Sequence, residues 1–327
     1  KPEPQQSLFI VPNFFPSDEV LKQIKELQPG EALVYENEVL VANINMDNFS
    51  LNQINKMTDI REKLFFIEKP TDIFSYNDKA IDFDFKLLTE GRISQELSST
   101  NGFIGEKENL FIEEGATIEF STLNCKTGKI YIGKNAEIME GSNIRGSLAL
   151  CEESKINLGT KLYGGTTIGP HSKVGGEVNN IVIFGYSNKG HDGFVGNSVI
   201  GEWCNLGADT NSSNLKNNYA SVKLWNYRKK RFLDTGLQFC GLIMGDHSKT
   251  AINTQLNTGT VVGVAANIFK SGFPPNLVDN FSWGGMKGDE KFNLEKAYEV
   301  AEKSMERRKI PLTETDKIIL KYIYNEL

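Results

Sequence analysis

Cysteine is scarce in this chain. The 327 residues contain four, Cys125, Cys151, Cys204 and Cys240, widely spaced and without a CxxC pair. Such spacing argues against a disulfide framework and a zinc site, and it fits a reducing cytoplasm. Histidine is scarcer still, limited to His171, His191 and His247. No run of about 18 apolar residues occurs, so no membrane span is expected. No basic and apolar signal segment opens the chain. Positive charge is in deficit: 36 Lys and Arg face 42 Asp and Glu, a net charge of −6. A nucleic-acid partner would require a basic surface to meet its phosphates; local basic pockets for small phosphates stay open. What is present suffices for a buried core, with 39% hydrophobic and 24% charged residues, and the length suggests about two domains.

The strongest pattern has period six. Ile132, Ile138, Ile144, Leu150, Ile156, Leu162, Ile168 and Val174 follow one another at that step, and glycine comes directly after Ile132, Ile168 and Val174. The phase slips and resumes at Phe194, Ile200 and Leu206, then again at Leu256, Val262 and Ile268. Six is not a multiple of 3.6, and an amphipathic strand would alternate at period two. Hexapeptides with glycine punctuation predict a parallel β-helix: each supplies a short strand and a turn, three close a triangular coil, and the aliphatic residue points inward. One coil cannot bury its own apolar side, so coils must stack.

The predicted β-helix runs from about Leu110 to Ile268. Asn211–Cys240 breaks the period and is polar and basic, which predicts a long loop leaving the helix. Residues 1–100 read as a separate α/β segment: a strand over Ser7–Val11, a helix capped by Ser17, a hairpin over Ala32–Asn45, a strand over Leu64–Ile67 and a helix over Asp82–Leu88. Two helical patterns flank Pro311 and are expected to pack outside the β-helix or across subunits. The expected domains are therefore 1–100, a β-helix over 101–285, and C-terminal helices over 286–327, mainly β overall.

Candidate chemistry centres on Asn188-Lys189-Gly190-His191-Asp192-Gly193. Glycines allow a sharp turn and close substrate approach. An imidazole can accept a proton near neutrality, as amine attack on a thioester requires. A histidine that merely bonds a turn carbonyl is the structural alternative. Gly201-Glu-Trp-Cys-Asn-Leu-Gly-Ala-Asp-Thr210 and Asn214-Leu-Lys-Asn-Asn-Tyr219 follow.

With these strings the sequence resembles the acetyltransferase domain of the bifunctional bacterial enzymes that make UDP-N-acetylglucosamine, pyrophosphorylase and glucosamine-1-phosphate N-acetyltransferase in one chain. That domain carries a Lys-x-Gly-His motif, of which Gly190-His191 matches the end, and after it Asn-x-Gly-Ala-x-Thr at the spacing of Asn205–Thr210 here. The likeness is closer to a divergent branch described as sugar nucleotidyltransferases, which Gly241–Lys249 and Asn257–Gly263 also match. The resemblance implies a left-handed β-helix, a homotrimer with active sites between subunits, and acetyl transfer from acetyl-CoA to an amino sugar phosphate. It makes His191 the general base. Asn214 and Asn205 become contacts to the oxyanion or the sugar, and Ala208 lies near the thioester. Turn chemistry is the alternative reading of both asparagines.

Two positions depart from the family. Phe194 replaces a tyrosine, and Tyr163 stands near the place of a phosphate-binding arginine, so Lys189, Lys216 or Lys223 is expected to supply that charge. Residues 66–77 resemble the family's junction with its nucleotidyltransferase domain, where an asparagine helps hold Mg2+. Asn77, Asp82 and Asp84 read rather as helix-capping and surface residues. The opening strand and glycine-rich phosphate loop of that domain are not in the sequence, which begins at Lys1; Mg2+ is expected only with a complete domain, and no resident metal otherwise. A sugar-1-phosphate nucleotidyltransferase whose β-helix serves assembly is the alternative function. A non-catalytic scaffold and a three-histidine metalloenzyme are the others.

Overall fold

The computed structural model describes residues 6–45 and 50–326; Lys1 lies outside them. The chain divides into two compact units, 1–72 and 73–327.

In the first unit, a four-stranded sheet runs in the order Gln6–Ile10, Glu38–Asn45, Glu31–Tyr35, Lys56–Asp59. The expected hairpin forms because Glu36 and Asn37 both adopt positive φ, 50° and 67°, which matches the right-handed strand twist. Helix α1 (Asp18–Glu26) starts where Ser17 Oγ accepts the Val20 N–H at 3.1 Å. Its apolar face places Val20 and Ile24 against Leu33, Val41 and Leu64. The strand expected over Leu64–Ile67 is only Phe65–Phe66, paired with Phe14–Phe15. A short helix α2 (Pro70–Ser75) follows.

The second unit is a parallel β-solenoid. Its coils comprise short strands such as Lys161–Tyr163, Thr166–Ile168 and Lys173–Val174. Each strand pairs with its equivalent in the next coil: Lys173 with Asn188, Asn188 with Asn205, Asn205 with Lys249. These belong to a nine-stranded sheet, and a 15-stranded sheet supplies the other two faces. All eight residues of the first period-six run are at most 2% exposed and form one continuous core. Leu256, Val262 and Ile268 join it. The solenoid is longer than the pattern suggested, from Gly102–Ile104 to Trp283–Gly284.

Two expectations need correction. Phe194 is not an inward residue: Val195 is, fully buried and paired with Val178. Lys189 to Val195 keeps the regular step of six, and the phase shifts by one residue between Val195 and Ile200, within the long strand Phe194–Ile200. Second, Asn211–Ser212 is still a solenoid strand, paired with Gln255–Leu256. The chain leaves after Asn214 and returns at Cys240, whose N–H donates to the Asn214 carbonyl at 2.9 Å. The excursion holds a hairpin, Lys223–Asn226 with Arg231–Asp234. Its Val222, Leu224 and Cys240 are buried with Phe74, Val199 and Val261, so half of it is an apolar foot on the solenoid.

Helix α3 (Asn77–Thr89) begins five residues before the expected start. Asn77 is neither a surface residue nor a cap. It is buried, donates through Nδ2 to the Gly165 carbonyl at 2.8 Å and accepts from Thr167 Oγ1 at 2.8 Å. Lys129 ties Asp82 to the same face at 2.8 Å. The C-terminal helices α4 (Leu294–Glu306) and α5 (Glu314–Asn325) pack outside the solenoid, joining Ala265, Phe281 and Phe292 through Ala297 and Leu320.

Candidate active site

His191 stands at the corner where the chain passes from the nine-stranded to the 15-stranded sheet. Its side chain is exposed and makes no hydrogen bond among the described residues. The backbone beneath it is held at three successive carbonyls. Asn157 Nδ2 donates to the Gly190 carbonyl at 2.7 Å, Lys189 Nζ to the His191 carbonyl at 2.6 Å, and the Asp209 N–H to the Asp192 carbonyl at 3.1 Å. Gly193 closes the turn at φ +112°, where a Cβ would also collide with the Thr210 carbonyl oxygen. The alternative of a histidine bonding a turn carbonyl therefore fails. The turn is secured by other groups, and the imidazole is exposed without a partner among the described residues.

Lys189 occupies an inward position, in register with Val174, where the repeat calls for an aliphatic residue. It is 2% exposed, and its ammonium donates to the Gly175 carbonyl at 2.9 Å as well as to His191. Burial pulls its pKa down to about 8, against the attraction of Asp192 and Asp209. An ammonium committed to two buried carbonyls does not reach a phosphate. The sequence expectation for Lys189 is corrected to that of a group positioning the His191 turn.

Ala208 lies three residues past Asn205, as His191 lies three past its partner Asn188, so the two share one corner in adjacent coils about 4.8 Å apart. Ile252, 68% exposed, continues this corner in the next coil.

Asn214 sits at the opposite edge of the face that begins at Phe194. Its Nδ2 donates to Asn197 Oδ1 at 2.7 Å, and Asn197 Nδ2 donates to Asn180 Oδ1 at 2.9 Å, with the Asn180 amide nitrogen facing the Gly165 and Phe74 carbonyls. This asparagine ladder fixes the Asn214 amide and leaves its second N–H available. Asn205 is exposed on the nine-stranded sheet, a different face from Asn214. Lys216 donates to the Ser221 carbonyl at 2.7 Å within the excursion, and Lys223 opens its hairpin, exposed. Tyr163 donates its hydroxyl to Glu177 at 2.7 Å. One chain thus places His191 and Ala208 at one corner, Asn214 at the far edge of the face that follows, and Asn205 on the nine-stranded sheet before it.

The other histidines end a stack that sequence reading missed. His171, Tyr186, Trp203 and His247 lie ring on ring, with centroids 5.1, 4.2 and 6.4 Å apart. All four have φ near +60°, so each turns the same corner one coil apart. The three histidines therefore do not converge on a metal. His247 Nδ1 is buried without a partner, and burial, aided by Lys249, holds its imidazole at about 4, although Asp316 opposes this. The unfolded chain binds the proton near 6.5, so stability is complete above that pH and is lost as pH falls toward 4. At pH 5 the loss from this group is about 2 kcal/mol. Urea unfolding at pH 7 and pH 5 should show this loss in the wild type and not in His247→Phe; equal losses in both would exclude His247 as its source.

Fold and site together define a hexapeptide-repeat β-solenoid with an imidazole presented at one corner. Comparison with known proteins adds that residues 1–93 match the sequence model of a sugar nucleotidyl transferase family. The chain is 37% identical over 144 residues to a bifunctional sugar-1-phosphate nucleotidylyltransferase/acetyltransferase of Sulfurisphaera tokodaii, covering 43% of this chain and 35% of that protein. It is 37% identical over 87 residues to the bifunctional protein GlmU of Methanocaldococcus jannaschii, 27% of this chain and 21% of that one. The chain thus spans about a third or less of these relatives. Among solved structures, the polySia-specific acetyltransferase NeuO aligns at TM-score 0.29 and 12% identity, over 64% of this chain and 94% of its own. A hexapeptide transferase family protein of Anaplasma phagocytophilum aligns at 0.19 and 15%, over 70% and 86%. At those scores neither likeness carries an argument.

Proposed function

We propose that the chain is an acyltransferase that moves an acetyl group from acetyl-CoA to the amine of an amino sugar phosphate resembling glucosamine-1-phosphate. The observation that carries this reading is the unpartnered His191 imidazole on a turn pinned at three carbonyls. Acetyl-CoA supplies the acyl group as a thioester. His191 takes the proton from the attacking amine, the free N–H of Asn214 donates to the oxyanion as the C–N bond forms, and the C–S bond then breaks, the CoA thiolate leaving as the thiol with the proton returned by His191. Asn205 holds the sugar, and Lys216 and Lys223 in the excursion meet its phosphate. Nucleotidyl transfer to a sugar-1-phosphate, with the β-solenoid serving assembly, is the second reading, favoured by the family match over residues 1–93. The test is release of free CoA thiol on adding acetyl-CoA and glucosamine-1-phosphate; no release above that seen without the sugar would end the acyltransfer reading.

The placement of Asn205 on a face separate from Asn214 supports a site completed by a neighbouring copy. We expect a homotrimer, in which Asn205 of one subunit faces the Phe194 face of the next. Light scattering at micromolar protein should give three times the chain mass of 36.5 kDa, and a monomer there would sink this arrangement.

A further inference from the structure

A cleft of about 550 Å³ opens between α4 and the outer side of the nine-stranded sheet. Lys173 and Lys249 reach it from the sheet, in the outward column that also carries Asn188 and Asn205. Lys303, Arg307 and Arg308 reach it from the end of α4. The one carboxylate at its edge, Glu299, is already paired with Lys296 at 3.0 Å, and Lys303 is paired with Glu306 at 3.0 Å. Lys173, Lys249, Arg307 and Arg308 have no carboxylate partner among the described residues. Lys249 and Arg308 donate only to neutral carbonyls, of His247 at 3.0 Å and His171 at 3.1 Å.

Four uncompensated cations meet here in a protein whose net charge is −6. A helix C-terminus attracts cations, which accounts for the arginines beside α4. It does not account for two lysines brought to the same place by a different element. Like charges gathered in a half-buried cleft repel one another unless an anion lies between them. Burial already lowers the Lys249 pKa, the effect expected of an ammonium without such a partner.

We propose that this cleft is a binding site for the phosphate groups of a small phosphorylated molecule. Adjacent arginines suit phosphate through paired N–H donors, and the Asn188 amide can meet a hydroxyl beside it. The volume is that of a small-molecule site rather than of a single ion. Trp203 and Tyr186 line the cleft, but their ring faces are stacked on each other at 4.2 Å. Recognition is therefore of phosphate and hydroxyl groups, with no platform for a base. The cleft lies away from the His191 imidazole and shares Asn205 with the proposed sugar contact, so its phosphate site is read by binding alone, without acetyl transfer. Its phosphate can come from a sugar phosphate or from the nucleotide end of CoA.

Calorimetric titration of the whole chain with inorganic pyrophosphate at low salt tests this without turnover. Saturable binding is expected, weakened at least tenfold in Lys249→Met and in the double variant Arg307→Ala/Arg308→Ala. Lys173→Met, which leaves the contact between α4 and the His171 carbonyl intact, should weaken it as well and covers the case in which the double variant misfolds. Competition by glucosamine-1-phosphate would identify a sugar phosphate as the source, and competition by CoA but not dephospho-CoA would identify the cofactor's 3′-phosphate. No saturable binding to the wild type, or wild-type affinity in both Lys173→Met and Lys249→Met, overturns the proposal.

Discussion

Replacing His191 with alanine should lower acetyl transfer by about 10²–10⁴-fold, the usual cost of removing a general base. The effect should fall on kcat, because the imidazole serves the amine proton while acetyl-CoA is expected along Ala208 and Ile252. Stability should change little, since the side chain is exposed and bonded to nothing described, and exposed substitutions of this kind stay within about 0.5 kcal/mol. His171→Ala and His247→Ala are the controls. Both lie in the aromatic stack at another corner, so they should lose stability and retain the chemistry. If either control loses as much kcat as His191→Ala while still folded, or if His191→Ala stays fully active, the assignment of the base is wrong.

The second large effect is expected at Lys189, where two variants separate packing from positioning. Lys189→Met keeps an apolar stem in an inward position and removes the ammonium. It relieves the desolvation that lowers the pKa to about 8, worth about 3 kcal/mol, but it orphans two carbonyls at about 1–3 kcal/mol each. The opposing contributions leave stability within about 2 kcal/mol of the wild type. The His191 carbonyl, however, loses its anchor, and kcat should drop by about 10-fold or more as the base departs from a productive position. Lys189→Ala adds a cavity and should cost a further 2–4 kcal/mol or so. The wild type should also gain stability relative to Lys189→Met as pH rises from about 8 toward 10.5, because over that window the unfolded chain holds the proton the folded one has released. A Lys189→Met enzyme with undiminished kcat would show that the ammonium does not position the turn.

Most of the solenoid was legible because its signal is local and repeated. An aliphatic residue every six positions admits few other structures, and each of the eight residues read this way is in the core. The ends and the phase slip were not legible. Val195 rather than Phe194 points inward because the step from Val195 to Ile200 is five, within one long strand that turns between two faces, and a period read along the chain cannot see which strand lies alongside. The excursion read as polar since Lys and Arg dominate its hairpin, while its apolar residues are too few to show a period. They are buried by Phe74, Val199 and Val261, which are distant in sequence.

The candidate site divides in the same way. The sequence by itself determined that the chain would stack coils, that His191 would lie at a glycine-flanked turn, and that two helices would follow the solenoid. These follow from spacing and backbone preference, which act between near neighbours. Only the tertiary structure decided which polar groups are spent and which are free. It turned Lys189 inward to hold a turn and tied Asn77 to Gly165. It separated the three histidines and gathered Lys173, Lys249, Arg307 and Arg308 around one cleft. The physical reason is that a side chain's charge and hydrogen-bonding capacity are set by whatever stands within a few ångströms of it. In a stacked coil, those neighbours come from residues one or several turns away.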